Sequence, residues 1–298
     1  MRYANPFGGQ VYEVSLRPEE VHSIVFWSKN FQPLEPYLPQ LEAMGYAFIF
    51  HYTVTGLPRV FESRVITLEE AVRSFRRLSD RYGQKRILWR FDPIIFSNIT
   101  GPEYFKKSFE NLSRKLEGAT ERCYFSFVCL YSKVIRNLQR LSEGNSLQFY
   151  DPSYPEKISL VEEMVEIASS CGIKLYTCCD EALAVDGVRP AQCVDGGLLY
   201  ELFPNKPRQT KIVPTRKGCN CVQSRDIGAY DTCPHGCVYC YANLNYALAR
   251  KRFEAHNSSC DMLLQLQPCL ANNRASHHRR HGLEQLTLHK TVNVGTDL

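Results

Sequence analysis

Strand-like and helix-like stretches alternate through the first two-thirds of the chain. Residues 23–27 form a short apolar run and read as a strand. Residues 33–44 carry apolar side chains at helical spacing. Residues 47–54 are rich in aromatic and β-branched side chains and read as the next strand. Residues 67–82 are the clearest helix. Leu68, Ala71, Val72, Phe75, Leu78 and Tyr82 share one face, Thr67 and Glu70 are spaced for a capping box, and Gly83 follows as a stop. The pattern continues with a strand at 86–91, a helix at 102–116, a strand at 122–130, helices at 133–141 and 156–171, and a strand at 173–177. Adjacent parallel strands need a crossover connection, usually a helix, so this alternation predicts an α/β fold with a parallel sheet. Its length points to a partial or complete (β/α) barrel, with an open doubly wound sheet as the alternative. Neither a GxGxxG turn nor a Walker-type loop follows any strand, so a nucleotide-binding sheet lacks its fingerprint.

Composition excludes several classes. At 44% hydrophobic and 22% charged, the 298 residues are ordinary for a globular protein. No apolar run approaches the ~18 residues of a membrane span. No signal peptide is recognisable, which predicts a cytoplasmic chain. Thirty-six basic against 31 acidic residues leave a net charge of +5, too weak to point to nucleic acid. The outlier is cysteine, with 13 residues. An odd number leaves a thiol over in any complete disulfide framework, and a cytosolic setting keeps most pairs reduced, so metal or iron–sulfur ligation leads. Cys123, Cys129 and Cys171 sit among apolar residues and read as buried fillers. Cys260 and Cys269 are isolated. The remaining eight fall between 178 and 240.

Three regions follow. Residues 1–177 are the (β/α) portion. Residues 178–265 are a cysteine-rich part that completes it, with residues 241–253 helical. Residues 266–298, with four of the eight histidines and no sustained periodicity, read as a disordered or atypical tail. Polar residues gather near strand C-termini: Lys29 and Asn30, His51 and Tyr52, Arg90 and Asp92. That edge is where parallel α/β folds bind ligands.

Cys233-Pro234-His235-Gly236-Cys237-Val238-Tyr239-Cys240 is a CxxxCxxC. Three thiolates on one short loop can converge on three corners of a cubane cluster. Pro234 stiffens the loop and Gly236 permits a turn. With three protein ligands, one iron stays open to a reactive ligand. This segment resembles the signature of radical SAM enzymes, with Tyr239 as the aromatic before the last cysteine. The resemblance implies a 4Fe–4S cluster on Cys233, Cys237 and Cys240. It also implies S-adenosylmethionine on the open iron, with Tyr239 beside the cofactor, and a reductant such as a ferredoxin or flavodoxin. The superfamily's cluster loop follows a barrel strand, and residues 226–230 are the candidate. A wider resemblance runs over about residues 5–265. Asn5-Pro6-Phe7, Ile24-Val25-Phe26-Trp27, Trp89-Arg90-Phe91-Asp92-Pro93 and the segment 226–233 look like a bacterial family catalogued only as a domain of unknown function. Its C-terminal cysteines are likened to the radical SAM loop. The chain starts inside that family's pattern, which implies that a barrel strand is missing.

Cys219, Cys221 and Cys193, with Cys178 or Cys179, form a second set. Four thiolates there close a second cluster or a structural zinc site. Alternatively, Cys219 or Cys221 supplies a fourth ligand to the first loop and closes its open iron. Three functions remain on the table: a radical SAM-like enzyme, an iron–sulfur electron-transfer protein with a fully ligated cluster, and a zinc-stabilised binding module.

Overall fold

The computed structural model describes residues 1–4 and 9–264 together with the strand at 292–296. Of Ala4, Asn145 and residues 292–296 only the backbone is described. The strands β1 (Arg2–Ala4) and β2 (Val11–Glu13) form a small antiparallel ladder. The main sheet then begins with β3 (Val21–Ser28), β4 (Phe48–Thr53), β5 (Ile87–Ile94), β6 (Arg122–Phe127), β7 (Lys174–Thr177) and β8 (Val188–Pro190). These six pair in parallel and in chain order. The connections carry helices α1 (Leu38–Ala43), α2 (Leu68–Tyr82), α3 (Pro102–Leu116), α4 (Ser132–Asn145) and α5 (Tyr154–Ser170), followed later by α6 (Gly196–Leu202) and α7 (Tyr246–Glu254). Two antiparallel additions extend the β3 edge. The strand β10 (Val292–Thr296) lies on β3, and β9 (Arg225–Asp226) lies on β10. The ladder is open, with β8 and β9 as its edges among the described residues.

A run of parallel strands in strict chain order, each joined by a right-handed crossover, puts its helices on one face. Side chains alternate across a strand, so the other face needs a different cover. Both faces are buried here. Phe48, Phe50 and Tyr52 of β4 point into the larger core with Phe75 and Leu78 of α2. Trp89 of β5 stacks on Phe109 of α3 at 5.0 Å between ring centroids. Ile49, with Val25, Leu88, Tyr124 and Tyr176 of the neighbouring strands, joins a second core whose other members are Ala191, Val194, Leu198, Leu199, Val222 and three cysteines. The cysteine-rich segment is therefore the lid on the face the helices leave open. Polar ties fix it there. His51 Nε2 lies 2.7 Å from the carbonyl of Cys193, and Arg122 donates to Asp195 at 2.8 Å. Asp195 also caps α6 by accepting from the amides of Gly197 and Leu198.

Most sequence boundaries stand within a few residues. The capping box of α2 is formed, with Glu70 N donating to Thr67 Oγ1 and Thr67 N donating to Glu70 Oε2. A second capping box, Ser153 with Glu156, opens α5 two residues ahead of the predicted start. The predicted helix at 33–44 is broken into a 3₁₀ turn (Glu35–Tyr37) and α1, because Pro36 and Pro39 lack the N–H groups of a continuous helix. The helix expected from 241 starts at Tyr246. Asn245 caps it by accepting from the amides of Ala247 and Leu248. The strand expected at 226–230 is corrected to the two-residue β9. Asp226 Oδ1 accepts from the amide of Gly228 at 2.8 Å, a turn that ends the ladder. The cysteine loop thus follows an antiparallel edge rather than a strand of the parallel sheet. Cys129 is corrected as well. β6 ends at Phe127, so Cys129 stands in the following loop and is exposed. Of the predicted tail, 266–291 and 297–298 lie outside the described residues, and 292–296 is the strand β10. Among the described residues, no helix is long and apolar enough to cross a membrane.

Candidate functional site

Two groups of cysteines lie at different places on this frame. The first is the loop 233–240. Cys233, Cys237 and Cys240 are all buried. The loop turns back on itself, with Cys240 N donating to Cys237 O at 3.1 Å and Gly236 at a positive φ of 68°. Its position is set by loops that follow the parallel strands. Val238 N donates to Phe61 O and Arg64 N donates to His235 O, both from the connection after β4. Asn137 and Lys133 of α4, which follows β6, donate to the carbonyls of Val238 and Tyr241 at 3.1 and 2.9 Å. The loop therefore lies over the C-terminal edge of the sheet, the edge at which parallel α/β folds place their chemistry.

Beneath the loop is a buried polar knot. Lys29, immediately after β3, donates to Glu62 Oε1 at 2.9 Å, and both side chains are about nine-tenths buried. Thr55 Oγ1 donates to the same oxygen at 2.7 Å, and so does the Tyr239 hydroxyl. Lys29 also lies 5.7 Å from the centre of the Tyr239 ring. Burial, the neighbouring Cys237 and Glu62 together push the Tyr239 hydroxyl well above its ordinary range, so it stays a donor. Glu62 was missed in the sequence, because an acidic residue in a long loop carries no pattern of its own. Of the polar strand-end residues singled out in the sequence, Lys29 enters this knot. Tyr52 instead turns to the helix side, packed edge-on against Phe31.

The second group is Cys178 and Cys179 after β7, Cys193 after β8, and Cys219 and Cys221 on the stretch that returns across the lid. Cys178 Sγ lies 3.6 Å from Cys193 Sγ and 3.8 Å from Cys179 Sγ. Cys193 interacts in turn with Cys221, and Cys221 with Cys219. Cys221 thus faces Cys193, and Cys219 and Cys221 share a core with Cys178, whereas Val238 and Tyr239 of the first loop pack on the helix-side core. Arginines border the sulfurs. Arg90 Nη1 donates to Cys193 Sγ at 3.2 Å while Arg90 Nη2 donates to Asp92 at 2.6 Å. Arg216 donates to Cys179 Sγ at 3.0 Å and to Cys178 Sγ at 3.2 Å. Hydrogen bonds from Cys179 and Cys193, helped by the two guanidinium charges, hold the Cys178 thiol far below its usual range. Cys193 is pushed up, first by its bond to Cys178 and next by Cys221, so the group shares its charge unevenly. His51, sandwiched between Trp27 and Tyr124, is held neutral by burial and by Arg90.

Among the described residues, no set of three or more His, Cys, Asp or Glu side chains is arranged to hold a metal ion. The first loop brings its three cysteines onto one buried turn, and their donor chemistry suits an iron–sulfur cluster. The second group brings its sulfurs into pairwise contact. Beside the first loop, a cavity of about 210 Å³ is lined by Lys133, Arg136, Asn137, Arg140, Leu244 and Asn245. Helical spacing assembles this basic wall on α4, although the net charge of the chain is small.

Comparison with known proteins gives one match. A family model described as a domain of unknown function (DUF1848) matches residues 1–242. No curated protein and no solved structure matches the chain.

Proposed function

The chain belongs to the DUF1848 family, and from that premise we propose that it is a radical SAM-like iron–sulfur protein. In this reading the 4Fe–4S cluster is held by Cys233, Cys237 and Cys240 and S-adenosylmethionine binds at its open iron. One observation carries the reading. The three cysteines are buried on a single turn, and that turn lies over the C-terminal edge of the parallel sheet. The strict strand order is that of a (β/α) barrel opened along one side, which agrees with a site at that edge.

A cluster held by Cys233, Cys237 and Cys240 would supply one-electron reducing chemistry toward the sulfonium of S-adenosylmethionine. What this chain's own residues contribute is position and exclusion of water. Lys29 and Glu62 hold Tyr239, next to Cys240, from below. Lys133 and Asn137 hold the loop backbone from the α4 side. Cys221 interacts with Cys193 and Cys219 with Cys221, which argues against a fourth thiolate closing the cluster. A one-electron donor such as a ferredoxin or flavodoxin is then required.

Anaerobic reconstitution followed by electron paramagnetic resonance tests this. A reduced-cluster signal that shifts on adding S-adenosylmethionine, and that disappears with its iron in Cys237→Ala, is the expected result. A signal indifferent to S-adenosylmethionine makes the protein an electron carrier. Iron content undiminished in Cys237→Ala refutes the ligand assignment.

A further inference from the structure

The cavity beside the 233–240 loop has α4 as its wall. Lys133, Arg136, Asn137 and Arg140 stand at positions i, i+3, i+4 and i+7 of that helix and so share one face, and Leu244 and Asn245 complete the lining. Three of these residues are cations and none is an acid. Glu143 is the one acidic residue of α4, and it does not line the cavity. Lys133 and Asn137 have a structural use, since they donate to the carbonyls of Tyr241 and Val238. Arg136 and Arg140 do not. Both are exposed, and among the described residues neither is paired with a carboxylate.

This arrangement works against the helix that carries it. Like charges three or four residues apart on a helix repel each other. Lys133 lies in the first turn of α4, which holds no acidic residue, and there the unpaired N–H groups already make the helix end positive. A second positive end meets the same space. The helix α7 opens at the cavity, where its N-cap Asn245 is part of the lining. An ordinary solvated helix face intersperses both signs of charge. Here two helix ends and three cations converge on one recess with no carboxylate in its lining. A local rule broken without a gain in stability is the mark of a functional surface, and the group that would relieve this repulsion is an anion.

We propose that this cavity binds the phosphate of a small phosphate ester. A guanidinium presents a planar fork of donors that matches two phosphate oxygens, and Arg136 and Arg140, one helical turn apart, supply two such forks. Lys133 adds a point charge from the same face. At about 210 Å³ the cavity has the room of several water molecules, enough for a phosphoryl or diphosphoryl group. A recess of this size, in a chain whose net charge is only +5, suits a small molecule better than a nucleic-acid strand. The site contains no cysteine and stands apart from the cluster. It shares Lys133 and Asn137 with the seat of the loop, so an ester held here lies next to Cys233, Cys237 and Cys240. That this ester is the substrate rests on the radical SAM reading; that it binds does not.

The test is calorimetric titration of the full-length, anaerobically purified protein with inorganic pyrophosphate. One equivalent should bind, more weakly as salt is raised. Arg136→Gln combined with Arg140→Gln should lower the affinity about 10–100-fold. Without ligand, that double variant should melt at or above the temperature of the unmodified chain, because a like-charge pair has been removed. Arg73→Gln with Lys107→Gln, two exposed cations of α2 and α3 outside the cavity, should bind as the unmodified chain does. No binding of pyrophosphate overturns the proposal. So does an equal loss in the Arg73/Lys107 variant, which would mean attraction by overall charge, and so does a lower melting temperature in the Arg136/Arg140 variant, which would make those arginines structural. A single-stranded oligonucleotide that binds more tightly than pyrophosphate, and is lost with the same two arginines, overturns it in favour of a strand-binding face. Pyrophosphate bound by a protein whose cluster signal ignores S-adenosylmethionine supports the site and removes only the substrate assignment.

Discussion

The two cysteine groups of this protein are built in opposite ways. The 233–240 group is local: three cysteines on one turn, with the surrounding fold supplying only a seat. The 178–221 group is assembled from three segments far apart in the chain and exists only once β7 and β8 have paired. Their surroundings differ too. The local loop rests on a carboxylate and an ammonium that satisfy each other, Glu62 and Lys29. The assembled group is bordered by guanidinium groups that point at sulfur. A neutral seat suits a loop whose ligands come with their own geometry. A cationic border suits a group in which Cys178 carries charge, held down by its thiol neighbours and by Arg90 and Arg216.

Replacing Cys233, Cys237 and Cys240 together by Ala should have the largest effect. Iron and sulfide binding at the loop should vanish completely, while the reactivity of the remaining thiols toward an alkylating reagent stays as it was. Coupled loss at both groups would end the distinction between them. Next is the seat of the loop. Glu62→Ala leaves Lys29 buried without its partner and should cost about 3–5 kcal/mol in a denaturant titration. Lys29→Met combined with Glu62→Leu should recover much of that loss. If the single change is harmless, the pair is not the support described here.

Glycine substitutions separate the two groups more finely. Both Gly218 and Gly236 have positive φ. A Cβ at 236 would meet the Ser63 hydroxyl at 3.0 Å, which can rotate away, whereas a Cβ at 218 would meet the backbone of Cys179. Each alanine should cost about 1–2 kcal/mol for its backbone conformation, with Gly218→Ala the worse of the two by melting temperature. Equal costs would mean that the lid backbone yields as readily as a side chain. The smallest effect is a pH dependence. His51 is neutral in the fold because burial, reinforced by Arg90, depresses its pKa. The unfolded chain therefore binds the proton that the folded chain refuses. Stability is unaffected above pH ~6.5 and should fall below it, by at most about 1.4 kcal/mol per pH unit. His51→Phe should flatten that slope, and an unchanged slope would assign the acid sensitivity to other groups.

Much of the frame was legible in the sequence. The α2 capping box, the α3 boundaries and the order of strands from β3 to β7 follow from periodicity and from residues within a few positions of each other. The CxxxCxxC was legible for the same reason. Errors fell where a local signal was outvoted. Asp226 turns a run that looked like a strand, and Asn245 postpones a helix that looked continuous. Glu62 and Arg216 carry no pattern at all, and their roles depend on what the fold sets beside them.

By itself, the amino-acid order determined an α/β chain with a parallel sheet and a late, compact triplet of cysteines. Hydrophobic period, caps and close spacing are short-range properties, and they survive without any knowledge of the fold. Only the tertiary structure decided that the helices leave one face of the sheet to a cysteine-rich lid. It alone turned Cys221 toward Cys193 and drew Lys29 and Glu62 together beneath Tyr239. Those arrangements join residues scores of positions apart, and such contacts form only where burying the sheet's second face outweighs the entropy of closing the long loops between them.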